Sequence, residues 1–539
     1  MRIITLIASM SLVLGLAIPA RAQEHQHPAG AKLGTVDFKT SCTPAAQQAF
    51  QNALAYLHSF EFGPAISGFT DATKADPQCG IAWWGIAVAR WTNPFVVTIR
   101  TPAQVAQGLD AVTRGRQAGA KSDRERDYVE AVSYLYADGA TVDQRTRLLA
   151  YEKAMAALAA KYPDDPEATI FWALSLAASA LPTDKTYANQ LKAGALLEKL
   201  FTASPDHPGI THYIIHSYDV PALADRARSA ATRYAKIAPD APHALHMPSH
   251  TFTRVGAWQD SIDTNKASAE AARRMKAYAE QLHAMDYMVY AYLQTSQDRA
   301  VDALVGDLPG IAAVFDPNAV VGAAPGSAGI FALAAMPARR VLERRDWAAA
   351  AKLPVATSTV PYTDAMTHFA RALGAARTGA LADAGASIAA LDQIANKLAA
   401  AGETYWAGQV RIQHDGATAF LRLAEGKSAE ALKLMADTAV REDATDKNAV
   451  TPGPLAPARE LLGEMLLLTG DPAGALREFQ ATLKKEPNRF RAMYGAAKAA
   501  SLSGDRKLAQ AHYQALLKMC ANADQPGRPE LAEARSAVR

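Results

Sequence analysis

Apolar and small side chains recur three and four residues apart along most of the chain, which is the spacing of helices that bury one face. No run of alternating β-branched residues indicates a sheet. A longer period of about 34 residues is also present. If Pro77 closes one such unit, the positions where two antiparallel helices pack against each other hold Tyr56, Phe62, Ala65, Phe69 and Ala72.

The same arrangement returns near the end of the chain. The recurring positions hold Gly463, Gly470, Ala475, Phe479 and Pro487 in one unit and Ala497, Gly504, Ala509 and Tyr513 in the next. Related segments, GAWQDSI and RRDWAAA, lie in the middle. These units resemble tetratricopeptide repeats (TPR) over most of the chain. The resemblance implies an all-α fold, a TPR-like solenoid of stacked helical hairpins.

Less regular stretches suggest how the chain is organised. The segments 92–125 and 440–457 are predicted to be loops or insertions, because they contain proline and polar connections. The predicted order is a signal peptide (1–22), a flexible N-terminal tail (23–40), an N-terminal array with a histidine cluster (41–305), a loop or linker (306–330) and a C-terminal array (331–539).

The first residues have the pattern of a cleaved signal peptide. Arg2 supplies the positive start, an apolar stretch runs over 6–18, and Ala20-Arg21-Ala22 provides a small-x-small cleavage site. The stretch is too short for a membrane anchor, and no later segment reaches the length of a spanning helix. We therefore expect a periplasmic or secreted protein whose mature chain begins at Gln23.

The net charge bears on the class of binding partner, and the cysteines bear on disulfide bonding. The formal net charge of +3 is small for 539 residues, and no long basic run occurs, so a nucleic acid partner is not expected. Outside the cytoplasm, Cys42 and Cys79 are expected to form a disulfide that brackets one helical hairpin. Two buried thiols are the alternative. Cys520 has no evident partner.

Histidines are concentrated in one part of the sequence. Six of the 13 lie between 207 and 250. His212 and His216 are four residues apart, which places them on one helical face about 5–6 Å apart. His243, His246 and His250 follow at spacings of three and four, again on one face.

The repeat register relates these groups to each other. His246 follows His212 by 34 residues, and His250 follows His216 by the same interval. The resemblance to tetratricopeptide repeats implies that such positions line a concave groove. Further residues predicted to face this groove or to support the cluster are His58, Asp219, Arg254, His283, Asp286 and Tyr290.

Pro248 lies between two of these histidines, where it removes a helical hydrogen bond. Either a helix kinks there, or a helix begins at Pro248 and the preceding residues form a loop. Both alternatives give an unusual backbone at the cluster, and such backbone is common at functional sites.

Two functions fit this pattern. The five histidines from His212 to His250 are a candidate ligand pool for a divalent transition metal, Zn²⁺, Cu²⁺, Fe²⁺ or Ni²⁺. Such a site is catalytic if one coordination position stays open, and otherwise only binds or buffers the metal. The alternative is a scaffold whose concave groove holds a peptide, a protein or a small molecule, with Arg254 pairing a carboxylate.

Several longer segments resemble a family of exported bacterial tetratricopeptide proteins. They are SC at 41–42, LHSF at 57–60, DPQCGIAWWGIA at 76–87, HPGITHYIIHSYD at 207–219, HALHMPSH at 243–250 and PGPLAPARELLG at 452–463. The resemblance implies fold and location and supplies no activity, so the function has to be argued from the site.

Overall fold

A computed structural model describes residues 30–539. Over these residues the helical periodicity of the sequence corresponds to a continuous succession of α-helices. The predicted signal peptide at 1–22 lies outside the described residues. The first helices are α1 (Pro44–His58), α2 (Phe62–Ala75), α3 (Gly80–Trp91), α4 (Pro102–Ala118), α5 (Asp123–Ser133), α6 (Gln144–Lys161), α7 (Pro166–Ala178), α8 (Ala188–Ala203), α9 (Pro208–Ser217), α10 (Arg228–Ile237), α11 (Pro242–His246), α12 (Pro248–Arg254), α13 (Trp258–Arg274) and α14 (Tyr278–Gln294). A short 3-10 helix covers Ala224–Ala227.

The second half continues in the same way. Its helices are α15 (Asp298–Ala312), α16 (Gly326–Glu343), α17 (Trp347–Ala351), α18 (Pro361–Thr378), α19 (Leu381–Ala400), α20 (Thr404–Ala424), α21 (Ser428–Asp443), α22 (Ala458–Leu468), α23 (Pro472–Lys485), α24 (Phe490–Leu502), α25 (Arg506–Met519) and α26 (Pro529–Ala537). Each helix contacts the next, from α1 to α26, and residues 30–539 contain no β-strand. The predicted all-α, TPR-like solenoid of helical hairpins is confirmed. No helix between Gly30 and Arg539 has the length and apolar run needed to cross a bilayer.

Small residues let the helices of neighbouring hairpins approach closely. A side-chain carbon at Gly68 of α2 would lie 2.9 Å from Ala53 of α1, and one at Gly85 of α3 would lie 2.5 Å from the ring of Phe69. Phe69 also contacts Phe50, with ring centroids 5.2 Å apart. The aromatic and small positions found in the sequence therefore form the contacts within and between hairpins.

The ends of two predicted segments differ from the sequence-based boundaries. Residues 32–40, predicted to belong to a flexible tail, pack against the array, because Phe38 is 1% exposed and lies against the ring of Trp84. The loop predicted at 306–330 is confined to 313–325, because α15 continues to bury Leu308 on the face that carries Val301. Residues 32–539 form one compact unit.

Contacts between distant parts of the chain close the solenoid on itself. Helix α14 contacts α24, and Nε1 of Trp258 donates to the carbonyl of Asn488 at 2.8 Å. The backbone N–H of Asp446 donates to the carbonyl of Pro182 at 2.9 Å. The loop between α21 and α22 is thereby held over the N-terminal half.

Cys42 and Cys79 form a disulfide, as predicted, with Cα atoms 5.1 Å apart. It joins the residues that precede α1 and α3. Cys520 is buried, is not disulfide-bonded within residues 30–539, and has a thiol pKa raised to about 12 by burial.

We expect the double substitution Cys42→Ser/Cys79→Ser to destabilise the first hairpins by about 3–4 kcal/mol, because it opens a loop of 37 residues. Hydrogen exchange measures this locally, which suits a repeat array whose parts need not unfold together. Amides of α1–α3 should lose protection, while those of α24–α26 serve as the internal control. Equal protection of α1–α3 in both proteins would contradict the expectation.

Candidate metal centre

Four helices bring histidines into one interior region. The contributing residues are His212 and His216 from α9, His243 and His246 from α11, His250 from α12 and His283 from α14. None is more than 7% exposed. The structure thus brings together the five histidines of the predicted ligand pool and adds His283, which the sequence indicated only as a supporting residue. The cluster lies in the interior and not on an open groove.

The backbone is interrupted at Met247, between α11 and α12. Pro248 has no N–H to continue the helical hydrogen bonds, so α12 begins there. Met247 keeps helical angles (φ −54°, ψ −35°), and its N–H donates to the carbonyl of His243 at 2.9 Å. Both predicted alternatives hold in part: a helix starts at Pro248, and the preceding residues are also helical.

The first triad consists of His212, His216 and His243, which offer one ring nitrogen each within 4.8 Å of one another. Nδ1 of His212 donates to the carbonyl of His58 at 2.6 Å, and Nδ1 of His243 donates to a carboxylate oxygen of Glu280 at 3.0 Å. Because a carbonyl and a carboxylate only accept, both rings carry a proton on Nδ1, and the neutral form of each ring has its lone pair on Nε2. Within residues 30–539, the buried Nε2 atoms of all three histidines have no hydrogen-bond partner.

The second triad consists of His246, His250 and His283, again with one ring nitrogen each within 4.8 Å. Nδ1 of His246 donates to Oδ1 of Asn265 at 2.7 Å, and Nδ1 of His250 donates to Oδ2 of Asp219 at 2.8 Å. The buried Nδ1 of His283 has no hydrogen-bond partner in the described part of the chain. As in the first triad, Nδ1 of two rings donates to an acceptor, but here Nε2 of His250 also contacts the hydroxyl of Tyr287 at 3.4 Å.

The protonation of the second triad follows from its neighbours. The Asn265 amide is oriented because its Nδ2 donates to the carbonyl of Ser261 at 2.7 Å, which leaves Oδ1 for His246. Nε2 of His246 and Nε2 of His250 lie 3.0 Å apart. With both protons on Nδ1, two lone pairs face each other. Two nitrogens bound to one tetrahedral ion at about 2.0–2.1 Å each would lie about 3.3 Å apart, so this spacing suits a shared cation.

Burial favours the neutral form of five of the six imidazoles, which is the form that binds metals. It lowers the pKa of His212, His216 and His246 well below the ordinary value. It also lowers the pKa of His250 to about 4 and that of His283 to about 3.

Two carboxylates hold the ligand rings in place. Burial alone would raise the pKa of Asp219, but Lys447 at 3.2 Å and Arg254 at 2.8 Å lower it well below its ordinary value. Burial would likewise raise the pKa of Glu280, but the ring of His243 lowers it, and so does the N–H of Ala324, which donates at 2.7 Å. Both carboxylates are therefore ionised acceptors for histidine Nδ1–H groups, an arrangement common around bound metals.

His58 belongs to a neighbouring cluster in which both imidazoles use both ring nitrogens. Its Nε2 and that of His207 each lie 3.0 Å from an oxygen of Glu167. Nδ1 of His58 contacts the hydroxyl of Tyr213 at 3.1 Å, and Nδ1 of His207 accepts from the N–H of Ile210 at 3.3 Å. His58 therefore contacts the first triad through its backbone carbonyl, which accepts from Nδ1 of His212.

Three loops cover the histidines. They lie in the segments 92–125, 306–330 and 440–457, which the sequence predicts to be loops, insertions or a linker. Phe95, in the loop after α3, stacks on His216 with ring centroids 4.1 Å apart. The loop before α16 contributes Ala324, and the loop between α21 and α22 contributes Ala449. A cavity of about 20 Å³ remains between these loops and the rings.

Two predicted groove residues belong to a separate charge network. Asp286 accepts from Nε of Arg339 at 2.8 Å, and both side chains are almost fully buried. The hydroxyl of Tyr290 accepts from Arg489 at 3.1 Å. Arg254, the proposed carboxylate partner for a ligand, is already paired with Asp219.

Sequence reasoning missed several supporting residues. For Glu280, the one available signal in the sequence was its position one helical turn before His283. Asn265, Phe95 and Lys447 come from other helices and loops and have no spacing relation to the histidines. Tyr287 lies within the second triad, 4.8 Å from His246 and 5.1 Å from His250 between ring centroids.

Comparisons with known proteins give distant fold-level likenesses. No protein-family model and no curated protein matches the chain. Among solved structures, the human IFIT1 dimer with m7Gppp-AAAA is 11% identical, with a TM-score of 0.37 over 82% of this chain and 90% of that chain. Naa15/Naa10 bound to HypK-THB is 13% identical, with a TM-score of 0.23 over 92% of this chain and 73% of that chain. At these scores the likenesses carry no argument about what this chain binds.

We expect Asp286→Asn to lower the free energy of unfolding by about 3–5 kcal/mol, because it leaves Arg339 as a buried charge without a charged partner. The matched control is Asp437→Asn, whose salt bridge with Lys433 is exposed and should contribute less than about 1 kcal/mol. Urea unfolding followed by circular dichroism compares the two. Equal unfolding midpoints for both variants would show that the buried pair does not have this role.

Proposed function

We propose that this protein binds a divalent transition metal at the buried histidine triads. The observation that carries the proposal is the fixed orientation of the rings. Nδ1 of His212, His243, His246 and His250 each donates to a group that only accepts, so in the neutral rings four Nε2 lone pairs lie in the protein interior. A cation is the ligand that satisfies several convergent lone pairs at once.

The donor set limits the identity of the metal. Neutral imidazole suits Zn²⁺, Cu²⁺, Fe²⁺ and Ni²⁺, whereas Mg²⁺ and Ca²⁺ prefer oxygen ligands. Within the first group, affinity for a given nitrogen site is highest for Cu²⁺. The selection in the cell then depends on which of these metals is available where the protein folds.

Three protein ligands in each triad leave a coordination position open, which is the arrangement of catalytic metal sites. A larger cavity of about 740 Å³, with a mostly apolar lining, is bordered by residues of the loop after α3. Val96 lines both this cavity and the small cavity at the rings. We therefore infer a metal-dependent enzyme that acts on a small organic molecule held in the larger cavity.

The alternative is a binding scaffold without metal chemistry. The same cavity favours it, since it lies between the N-terminal half at 178–183 and the C-terminal half at 402–412 and has room for a ligand. A peptide side chain or a small molecule would then occupy the cavity, and the histidines would have no role in binding it. Metal analysis separates the two functions.

We expect the purified full chain to retain Zn²⁺ or Cu²⁺ after dialysis, measured by elemental analysis. His243→Ala should weaken binding by more than the roughly 10–100-fold that follows loss of an outer-shell partner, because it removes a ligand. His512→Ala is the matched control: its Nε2 is also buried without a hydrogen-bond partner among the described residues, but it lies in α25, far from the triads.

All proteins in this comparison carry His25→Ala and His27→Ala, so that the tail cannot bind metal. Loss of metal in both the His243 and His512 variants would contradict a site at the triads. Absence of zinc, copper, iron and nickel from the wild-type chain after loading would overturn the metal function and leave the scaffold.

Export is the second part of the proposal. The Cys42–Cys79 disulfide supports a non-reducing compartment. We expect mass spectrometry of protein from the periplasmic fraction to find an N-terminus at Gln23 and the two cysteines in one non-reduced peptide pair. An intact N-terminus at Met1 with both thiols open to alkylation would refute export.

A further inference from the structure

We propose that the two triads form one binuclear centre, in which two metal ions share a single small anion such as hydroxide. This inference rests on the proposed metal binding. It adds the number of ions, their coupling and the class of ligand between them.

The ring geometry shows no boundary between the triads. Within them, ring centroids lie 4.5 Å (His246–His283) to 6.4 Å (His250–His283) apart. Between them, His216 lies 5.7 Å from His250, and His243 lies 5.8 Å from His246. The spacing across the boundary is thus the spacing found inside each triad. Ions in two-metal sites lie about 3.5–4 Å apart, which a cluster this continuous can accommodate.

The space between the triads has the size of one small ligand. The cavity of about 20 Å³ is lined by His216 and His243 of the first triad and by His250 and His283 of the second. A cavity needs about 10–15 Å³ to hold one water molecule. Val96, Ala449 and other loop residues line the remaining sides. A water-derived ligand therefore fits, and it contacts both ligand sets.

Charge balance favours an anion at this position. Two divalent ions bring four positive charges, and the six imidazoles bring none. The carboxylates that contact the ligand rings are Glu280 and Asp219, and Asp219 is already paired with Arg254 and Lys447. A metal ion strongly increases the acidity of bound water, so water between two ions would lose a proton to solvent and supply one of the negative charges that the site lacks.

Copper provides the test, because the spins of two Cu²⁺ ions that share a one-atom bridge couple to each other. The full chain, with His25→Ala and His27→Ala, is loaded with Cu²⁺ alone and freed of excess metal. We expect two copper ions per chain and an integrated electron paramagnetic resonance signal well below the total copper.

Variants of each triad test whether each copper ion is bound by its own triad. His283→Ala removes a ligand of the second triad and should leave one copper with a full signal. His212→Ala should do the same for the first triad, and His512→Ala should behave like the parent chain. Helical circular dichroism checks that each variant is folded.

The outcomes separate this inference from the proposed function. One copper per chain in the parent protein, or two with a full signal, overturns the binuclear centre and leaves metal binding intact. No bound copper, zinc, iron or nickel overturns both.

Discussion

The rest of the site depends on one constraint: hydrogen bonds hold a proton on Nδ1 of four imidazoles. His212, His243, His246 and His250 each give the Nδ1 proton to a carbonyl, an amide oxygen or a carboxylate. A buried acceptor without a partner costs about 1–3 kcal/mol. Among these four rings, the buried Nε2 atoms of His212 and His243 have no hydrogen-bond partner within residues 30–539, which costs on the order of 2–6 kcal/mol in total. A cation bound as proposed would offset this cost.

The repeat architecture and the loops contribute different parts of this arrangement. Stacked hairpins place α9, α11, α12 and α14 side by side, so their histidines meet through contacts between neighbours in sequence. Such contacts alone would leave the rings at a surface. Long-range contacts remove them from water: Lys447 reaches Asp219, and the hydroxyl of Tyr287 donates to carbonyls of Ala449 and Thr451 at 3.2 Å.

The sequence predicts those features that depend on short-range periodicity. The helical class, the hairpins around Phe69 and Phe479, the meeting of His212 with His216 and the Cys42–Cys79 bridge all follow from spacing or from export chemistry. Contacts between distant parts of the chain could not be predicted from the sequence. The covering of the cluster is one such feature, because nothing in the stretch 440–457 indicates that it reaches residues more than 200 positions earlier.

Spacing also cannot separate residues that share a helix face but contact different neighbours. Asp286 follows His283 by three residues, and the sequence grouped both with the histidines. The structure pairs Asp286 with Arg339, because α16 packs against that part of α14. Glu280, on the other side of His283, is the residue that contacts the cluster. Only the position of the neighbouring helix distinguishes the two carboxylates.

The loop between α21 and α22 has a consequence for the order of events in folding. The ligands lie at positions 212–283, whereas the residues that close over them lie at 445–451 and are synthesised much later. A partly folded chain thus presents the imidazoles to solvent, and the complete chain shields them. If the histidines bind an ion as proposed, entry of the ion into the folded protein and its release both require this loop to open. Loading and exchange of a metal ion are then expected to be slow and to follow the rate at which this loop opens.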